Sequence, residues 1–258
     1  MKLIKRYLVN CYRYYRYRKI LSLKQYIKFR NASKKRKEEP PVAIKLKNHA
    51  YPFWIRPGTS DISIFKSIFL KQEYNSLIEN KQGTIIDAGA NIGAVSFYFK
   101  MHAPKMKIIA IEPDESNCEI FKLNMKHFTD VTLLKSALHN VDDKSMKIKN
   151  PDAPKYSYQM ELGESNIKTV SINSLLEKYN IKELTIAKLD IEGGEKAVFE
   201  KNTEWINVCD TLIIELHEHY APGCGSALLR AISNYKVTIN WQGENLIIAK
   251  SGYENISN

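Results

Sequence analysis

The 258-residue chain has no two cysteines at zinc-ligand or redox spacing; Cys11, Cys118, Cys209 and Cys224 are scattered. Neither a disulfide framework nor a zinc site is therefore indicated, and a reducing compartment is expected. The chain also lacks an apolar run long enough for a signal peptide or a membrane span, so a cytoplasmic protein is expected. It has no Gly-Lys-Ser/Thr, which rules out a P-loop. Its first 37 residues have no acid at all, against 14 Lys/Arg. The other residues carry 25 basic and 28 acidic side chains, so the formal charge of +11 belongs to the tail.

That tail is patterned. Leu3, Ile4, Tyr7, Leu8, Cys11, Tyr14 and Tyr15 recur at helical spacing, with Lys2, Lys5, Arg6, Arg13 and Arg16 between them. A basic amphipathic helix rich in tyrosine suits peripheral attachment to an anionic membrane surface through residues 1–37. The alternative is a helix packed on the domain, followed by a solvated linker at Ser33–Pro41. Nucleic acid is the least favoured partner, because no RNP-like or zinc module accompanies the arginines. The organisation expected is a tail and linker over 1–41 and one domain over 42–258, with 42–80 as its N-terminal elements.

The domain is organised around Gly83–Gly93, Gly-Thr-Ile-Ile-Asp-Ala-Gly-Ala-Asn-Ile-Gly. Thr84-Ile85-Ile86 is a β-branched run without polar alternation, which suits a strand buried on both faces of a parallel sheet. It breaks at Asp87-Ala88-Gly89, and a helix is predicted from Ala94. Strand, glycine turn and helix start make a site for a nucleotide-like ligand, because glycines admit the ligand to the backbone and the helix start offers free N–H groups. The Gly89 to Gly93 spacing does not give G-x-G-x-x-G, which weakens a dinucleotide reading. An acid at the strand end repels pyrophosphate and suits a cationic ligand. The D-x-G-x-N-x-G pattern resembles the first motif of S-adenosylmethionine-dependent methyltransferases, with Asn91 at the middle glycine.

Further along, the pattern alternates between strands and helices. Short strands are predicted at Val42–Leu46 and Phe53–Arg56, and a helix at Ile62–Leu70 capped by Ser60 or Asp61. Lys107–Ile111 reads as a second buried strand ending in Glu112, where a carboxylate can accept from both hydroxyls of a ribose. Helix Asn117–His127 and strand Val131–Leu134 follow, placing Ser136 and Ala137 where an adenine ring would lie. Residues 140–170 are polar, with two candidate edge strands. Helix Ser174–Tyr179 and strands Leu184–Leu189 and Leu212–Leu216 come next. Lys236–Trp241 and Leu246–Ala249 read as a closing hairpin.

At Lys188-Leu189-Asp190-Ile191-Glu192-Gly193-Gly194-Glu195 the sequence resembles the K-x-D-x-E-G-x-E signature of the FkbM-type methyltransferases. Ile86–Gly93 resembles the first motif of the same family, and the likeness extends over about residues 42–250. The resemblance implies a Rossmann-like class I α/β fold, with a mostly parallel seven-stranded sheet and a C-terminal antiparallel hairpin. It implies S-adenosylmethionine as donor and a hydroxyl of a sugar, glycolipid or other small polyhydroxylated compound as acceptor. Gly194 stands where relatives often have alanine. The donor would be held by Asp87, Gly89, Asn91, Gly93, Glu112, Ser136, Ala137 and Asp190.

Asp190, Glu192, Glu195, Glu215 and His217 fall at strand ends beside the glycine loop. Asp190, Glu192 and His217 are the candidate catalytic groups. Asp190 has the best position for taking a proton from the acceptor, and His217 the best titration range. The same acids and His217 have a donor set that a divalent cation accepts, although their spacing is not diagnostic and base catalysis is ranked above it. Glu195 also suits a first helical turn, and Glu215 a buried pair with Lys188. Nucleic-acid or protein methylation and a non-catalytic membrane-associated nucleotide-binding module are the alternatives; no Asn/Asp-Pro-Pro-aromatic motif for amine methylation is present.

Overall fold

The computed structural model describes residues 14–35, 39–74, 81–152 and 157–250. Its centre is a seven-stranded sheet. In chain order the strands are β3 (Gly83–Ala88), β4 (Met106–Ile111), β5 (Val131–Leu134), β10 (Leu184–Leu189), β11 (Cys209–Glu215), β12 (Val237–Gln242) and β13 (Asn245–Lys250). Across the sheet they run β12-β13-β11-β10-β3-β4-β5. The first five in chain order are mutually parallel, and β13 lies antiparallel to both β11 and β12. This is the Rossmann-like class I arrangement expected, with its closing hairpin. The chain builds β3, β4 and β5 outwards on one side, then crosses back to place β10 on the other side of β3. The carboxyl ends of β3 and β10 therefore flank the switch point, where open α/β sheets bind ligands.

Side-chain alternation distributes the strands over two cores. Ile85, Ile108, Ala110, Ile186 and Ile213 face one layer, in which Phe53, Phe65, Phe69, Phe97 and Phe121 are buried. Ile86, Ile109, Ile111, Ala187, Leu212 and Ile214 face the other, with Leu175, Phe199, Trp205 and Leu228. Both sheet faces are covered, which explains why the parallel strands read as unbroken apolar runs.

Several helices start where their side chains permit. Asp114 accepts from Asn117 N to cap α4 (Glu115–Met125), and Ser171 accepts from Ser174 N to cap α5 (Ile172–Lys178). Neither Ser60 nor Asp61 caps α2 (Asp61–Phe65). Asp61 is instead the first helical residue, wholly buried, with its carboxylate clamped by the Arg56 guanidinium. Beyond Phe65 the helix widens into a π-helical turn, Lys66–Lys71, and ends at Gln72 in left-handed backbone.

Residues 137–170 hold more structure than two edge strands. Strands β6 (Ala137–Leu138), β7 (Ser145–Ile148), β8 (Met160–Leu162) and β9 (Ile167–Val170) form a separate sheet in the order β6-β9-β7-β8. The patterned Leu3–Arg13 segment lies outside the described residues. The part of the tail that is described packs on the domain. Ser22 caps α1 (Leu23–Ala32), whose Tyr26, Phe29 and Ala32, with Leu21, enter the same core as Phe53 and Phe65. Lys47 N donates to Ile20 O and Gly58 N to Ala32 O, which ties the segment to the hairpin of β1 (Val42–Lys45) and β2 (Pro52–Ile55). The domain's packing thus begins near residue 21, some twenty residues before the linker boundary expected at 41. Among the described residues, no helix is long and apolar enough to cross a membrane.

Candidate active site

The loop after β3 is held by its own backbone. Gly89 N and Ala90 N both donate to Ile111 O at 3.0 Å, and Asp190 N donates to Ala88 O at 3.2 Å. Gly89 has φ +72, and a Cβ there would lie 1.8 Å from Asp190 O, so no other residue fits. Gly93, the residue before α3 (Ala94–His102), has φ +80, and its added Cβ would meet Phe121 at 2.8 Å. Its smallness admits helix packing.

A cavity of about 630 Å³ opens at the switch point. Gly89, Asn91, Glu112, Ser136, Ala137, Asp190, Glu192 and His217 all line it. Of the residues singled out from sequence, Asp87, Gly93 and Glu195 do not. Asp87 is fully buried behind the loop, accepting from Ser96 Oγ at 2.7 Å and pairing with Lys188 Nζ at 3.3 Å. Strand register explains the pairing, since Lys188 lies directly opposite Asp87 across β10 and β3. The negative charge that suggested a cationic ligand is therefore neutralised inside the protein. Lys188, 1% exposed, also donates to Gly89 O at 3.0 Å and sits 3.6 Å from Asp190 Oδ2. Burial opposes its charge, but Asp87 and Asp190 outweigh that and hold its pKa above the ordinary lysine value. The pair expected between Lys188 and Glu215 does not form. Glu215 lies instead 3.5 Å from His217 Nε2.

Glu112 closes the next strand. Its Oε1 accepts from Asp114 N at 3.0 Å and Asn117 Nδ2 at 3.1 Å, and its Oε2 from Asn91 N at 2.8 Å. A carboxylate has about four acceptor positions, so one remains on Oε2 for a ribose hydroxyl. Burial raises its pKa to about 7 against the lowering effect of those three hydrogen bonds. Behind it, Arg56 donates to both Asp61 oxygens and to Asn117 Oδ1, so the N-terminal elements orient the amide that orients Glu112.

On the opposite wall, β10 and β11 end in ionisable groups. Glu195, at the start of α6 (Glu195–Glu200), is fully buried, and its oxygens accept from Ile191 N and Gly193 N, both at 3.0 Å. Its Oε1 lies 2.9 Å from His217 Nδ1, and Tyr220 stacks on the imidazole at 5.8 Å between centroids. Glu195 is thus more than a first-turn acid: it sets the orientation of His217. The other ring nitrogen, Nε2, has Glu192 at 3.4 Å, Glu215 at 3.5 Å and Asp190 at 3.9 Å. Burial lifts the Asp190 carboxyl to about 6 although Lys188 opposes it, and lifts Glu192 to about 8 although His217 opposes it. Burial by itself would discharge the imidazole, but the hydrogen bond to Glu195 and the nearby Glu215 and Glu192 carboxylates push its pKa up to about 11. The signature alone gives Lys188 and Glu195 neither of these roles. The i,i+2 spacing of Lys188 on β10 and Asp190 just past its end is the available signal.

Residues 87–234 match the methyltransferase FkbM domain. The chain belongs to this family. It is accordingly an S-adenosylmethionine-dependent methyltransferase, and the signature read at Lys188–Glu195 lies inside the matched span. A curated relative, Methyltransferase 1 of Beauveria bassiana (strain ARSEF 2860), is 26% identical over 179 residues, covering 59% of this chain and 72% of that protein. Solved structures similar to this FkbM-family chain include a putative caffeoyl-CoA O-methyltransferase from Staphylococcus aureus, at 14% identity and TM-score 0.43 over 70% of this chain and 80% of that one. Another is M. capricolum TrmK in complex with S-adenosyl-homocysteine, at 15% identity and TM-score 0.40 over 72% and 69%. The donor fits the residues present: a glycine loop that tolerates close approach, a strand-end carboxylate with one free acceptor position, and a cavity of sufficient volume.

Proposed function

We propose that this methyltransferase alkylates a hydroxyl of a small polyhydroxylated acceptor, such as a sugar or glycolipid. The observation that carries the reading is that one cavity joins Gly89, Asn91 and Glu112 to Asp190, Glu192, Glu215 and His217. S-adenosylmethionine supplies an electrophilic methyl on a sulfonium. The chain must then bring an oxygen in line with it and accept that oxygen's proton. The loop, Glu112, Ser136 and Ala137 are assigned to the donor. The hydroxyl is assigned to the opposite wall, where its proton passes to the carboxylate cluster around His217. Radiolabelled donor incubated with sugar, glycolipid and polyketide fractions, and with RNA and protein, tests this. Label in a hydroxylated small molecule at a base-stable ether is expected; label confined to RNA or protein would refute the acceptor class.

Membrane attachment through residues 1–37 belongs to the same proposal. What supports it is that Tyr15, Leu23 and Ile27 are exposed beside exposed Arg16, Arg18, Lys19, Lys24 and Lys28. Each cation near an anionic surface is worth about 1 kcal/mol. Co-sedimentation with phosphatidylserine vesicles is expected at low salt, falling as salt rises. Equal pelleting of the Leu23→Glu/Ile27→Glu protein would sink the idea.

A further inference from the structure

The wall assigned to the acceptor has an unusual imbalance. Asp190, Glu192 and Glu215 crowd one imidazole nitrogen, yet none reaches it at a good hydrogen-bond length; the separations are 3.9, 3.4 and 3.5 Å. His217 is 4% exposed, and its Nε2 points into this space because Glu195, fully buried, holds the opposite nitrogen. One ligand atom from each of Asp190, Glu192 and His217 lies within 4.8 Å of the other two. For bonds of about 2.1 Å, neighbouring ligands around one ion stand about 3 Å apart and opposed ones about 4.2 Å.

We propose that Asp190, Glu192 and His217 bind one divalent metal ion of the Mn²⁺ type. Two carboxylates and an imidazole are a mixed donor set: carboxylates suit hard ions and imidazole suits later ones, and Mn²⁺ accepts both. The Glu195–His217 contact is the arrangement in which a carboxylate fixes a metal-binding imidazole, presenting Nε2 to the ion. The ion would take the place of the proton on His217 Nε2 and supply positive charge among Asp190, Glu192 and Glu215, where Lys188 gives little because it is shared with Asp87. The use of the ion rests on the hydroxyl-methylation reading; the site itself does not. In that use the ion polarises the acceptor O–H, and the proton passes to Glu215, which is not among the three ligands. The oxygen lone pair forms the new O–C bond as the C–S bond breaks, its electron pair staying on sulfur.

The full chain, stripped with EDTA and dialysed, is titrated with MnCl₂ and free Mn²⁺ is read by electron paramagnetic resonance. S-adenosylhomocysteine affinity is measured in parallel by calorimetry. One Mn²⁺ per chain is expected. Glu192→Gln, which is partly exposed, should weaken it at least tenfold while S-adenosylhomocysteine affinity stays intact, showing that the fold survives. Glu195→Gln should weaken Mn²⁺ by about 10–100-fold through the imidazole it positions. Absence of saturable Mn²⁺ binding to the parent chain, or equal binding by Glu192→Gln and Asp190→Asn, would overturn the site. Mn²⁺ bound without S-adenosylhomocysteine would uphold the metal site and remove the donor reading.

Discussion

The two walls of the cavity are built on opposite principles. At the donor wall the polar groups are already committed. Glu112 accepts three protein hydrogen bonds, and the loop amides of Gly89 and Ala90 are tied to Ile111 O. Little reorganisation remains when a ligand arrives, and what it meets is shape and one free acceptor position. On the facing wall the side chains are placed but not saturated: three carboxylates stand around His217 Nε2 at 3.4–3.9 Å. Satisfied polar groups make a rigid receptor, whereas unsatisfied ones await a proton, an ion or a substrate hydroxyl. Binding and chemistry are thereby assigned to different strands of one sheet edge, β3 and β4 for the first and β10 and β11 for the second.

The largest effect is expected from striking the unsaturated wall alone. Asp190→Asn keeps size and removes charge, so turnover should fall about 10²–10⁴-fold. S-adenosylhomocysteine affinity should change by no more than a few-fold, since Asp190 is one of eight residues expected around the donor and Gly89, Asn91 and Glu112 are untouched. Single-turnover methyl transfer beside calorimetry checks both halves of the statement. Equal losses in both measurements would show that the two walls form one functional unit, and the contrast drawn here would fail. Asp190 also contacts Lys188, so a melting curve distinguishes loss of chemistry from loss of packing.

The donor wall was the more legible in sequence, and the reason is physical. Its parts are backbone devices, and backbone devices leave sharp local traces: a β-branched strand, two glycines at fixed spacing, an acid at the next strand tip. The sheet was legible because both faces of β3, β4, β10 and β11 are covered and leave uninterrupted apolar runs. The facing wall depends on which strands become neighbours. Asp87 seemed to face a ligand because its partner, Lys188, lies about a hundred residues further on and meets it only through strand register. Glu195 looked like an ordinary helix-start acid for the same reason, its role being fixed by His217 on another strand. The tail left two readings open because its pattern is weak: α1 has no strong periodicity, and its described part follows the alternative of a helix packed on the domain, with Leu21, Phe29 and Ala32 in a core that only the fold supplies.

The smallest effect, and the one that separates the walls most cleanly, is in pH. Burial raises the Glu112 pKa from 4.5 to about 7, so in the free protein this group takes up its proton near neutrality. A ribose hydroxyl needs the ionised form as acceptor, and below pH 7 binding must first expel that proton. Donor affinity should therefore fall as pH drops from about 7 to 5, by at most tenfold per unit. The stability term has the opposite sign. A carboxyl whose folded pKa is raised costs stability when ionised, so its penalty is present above pH 7 and is relieved as pH falls towards 4.5. Glu112→Gln carries no ionisable group there and should abolish the affinity slope and make the stability slope shallower, leaving the share of Asp190 and Glu192, at a cost in affinity of about 2–4 kcal/mol at pH 8. Calorimetry of S-adenosylhomocysteine and melting of the free protein across this range, parent against variant, test the pair of signs. A parent affinity that is flat from pH 8 to 5 would show that Glu112 is not the ribose acceptor. An affinity slope that persists in the variant would move the titration to the wall of Asp190 and Glu192, joining donor binding to the groups that the comparison keeps apart.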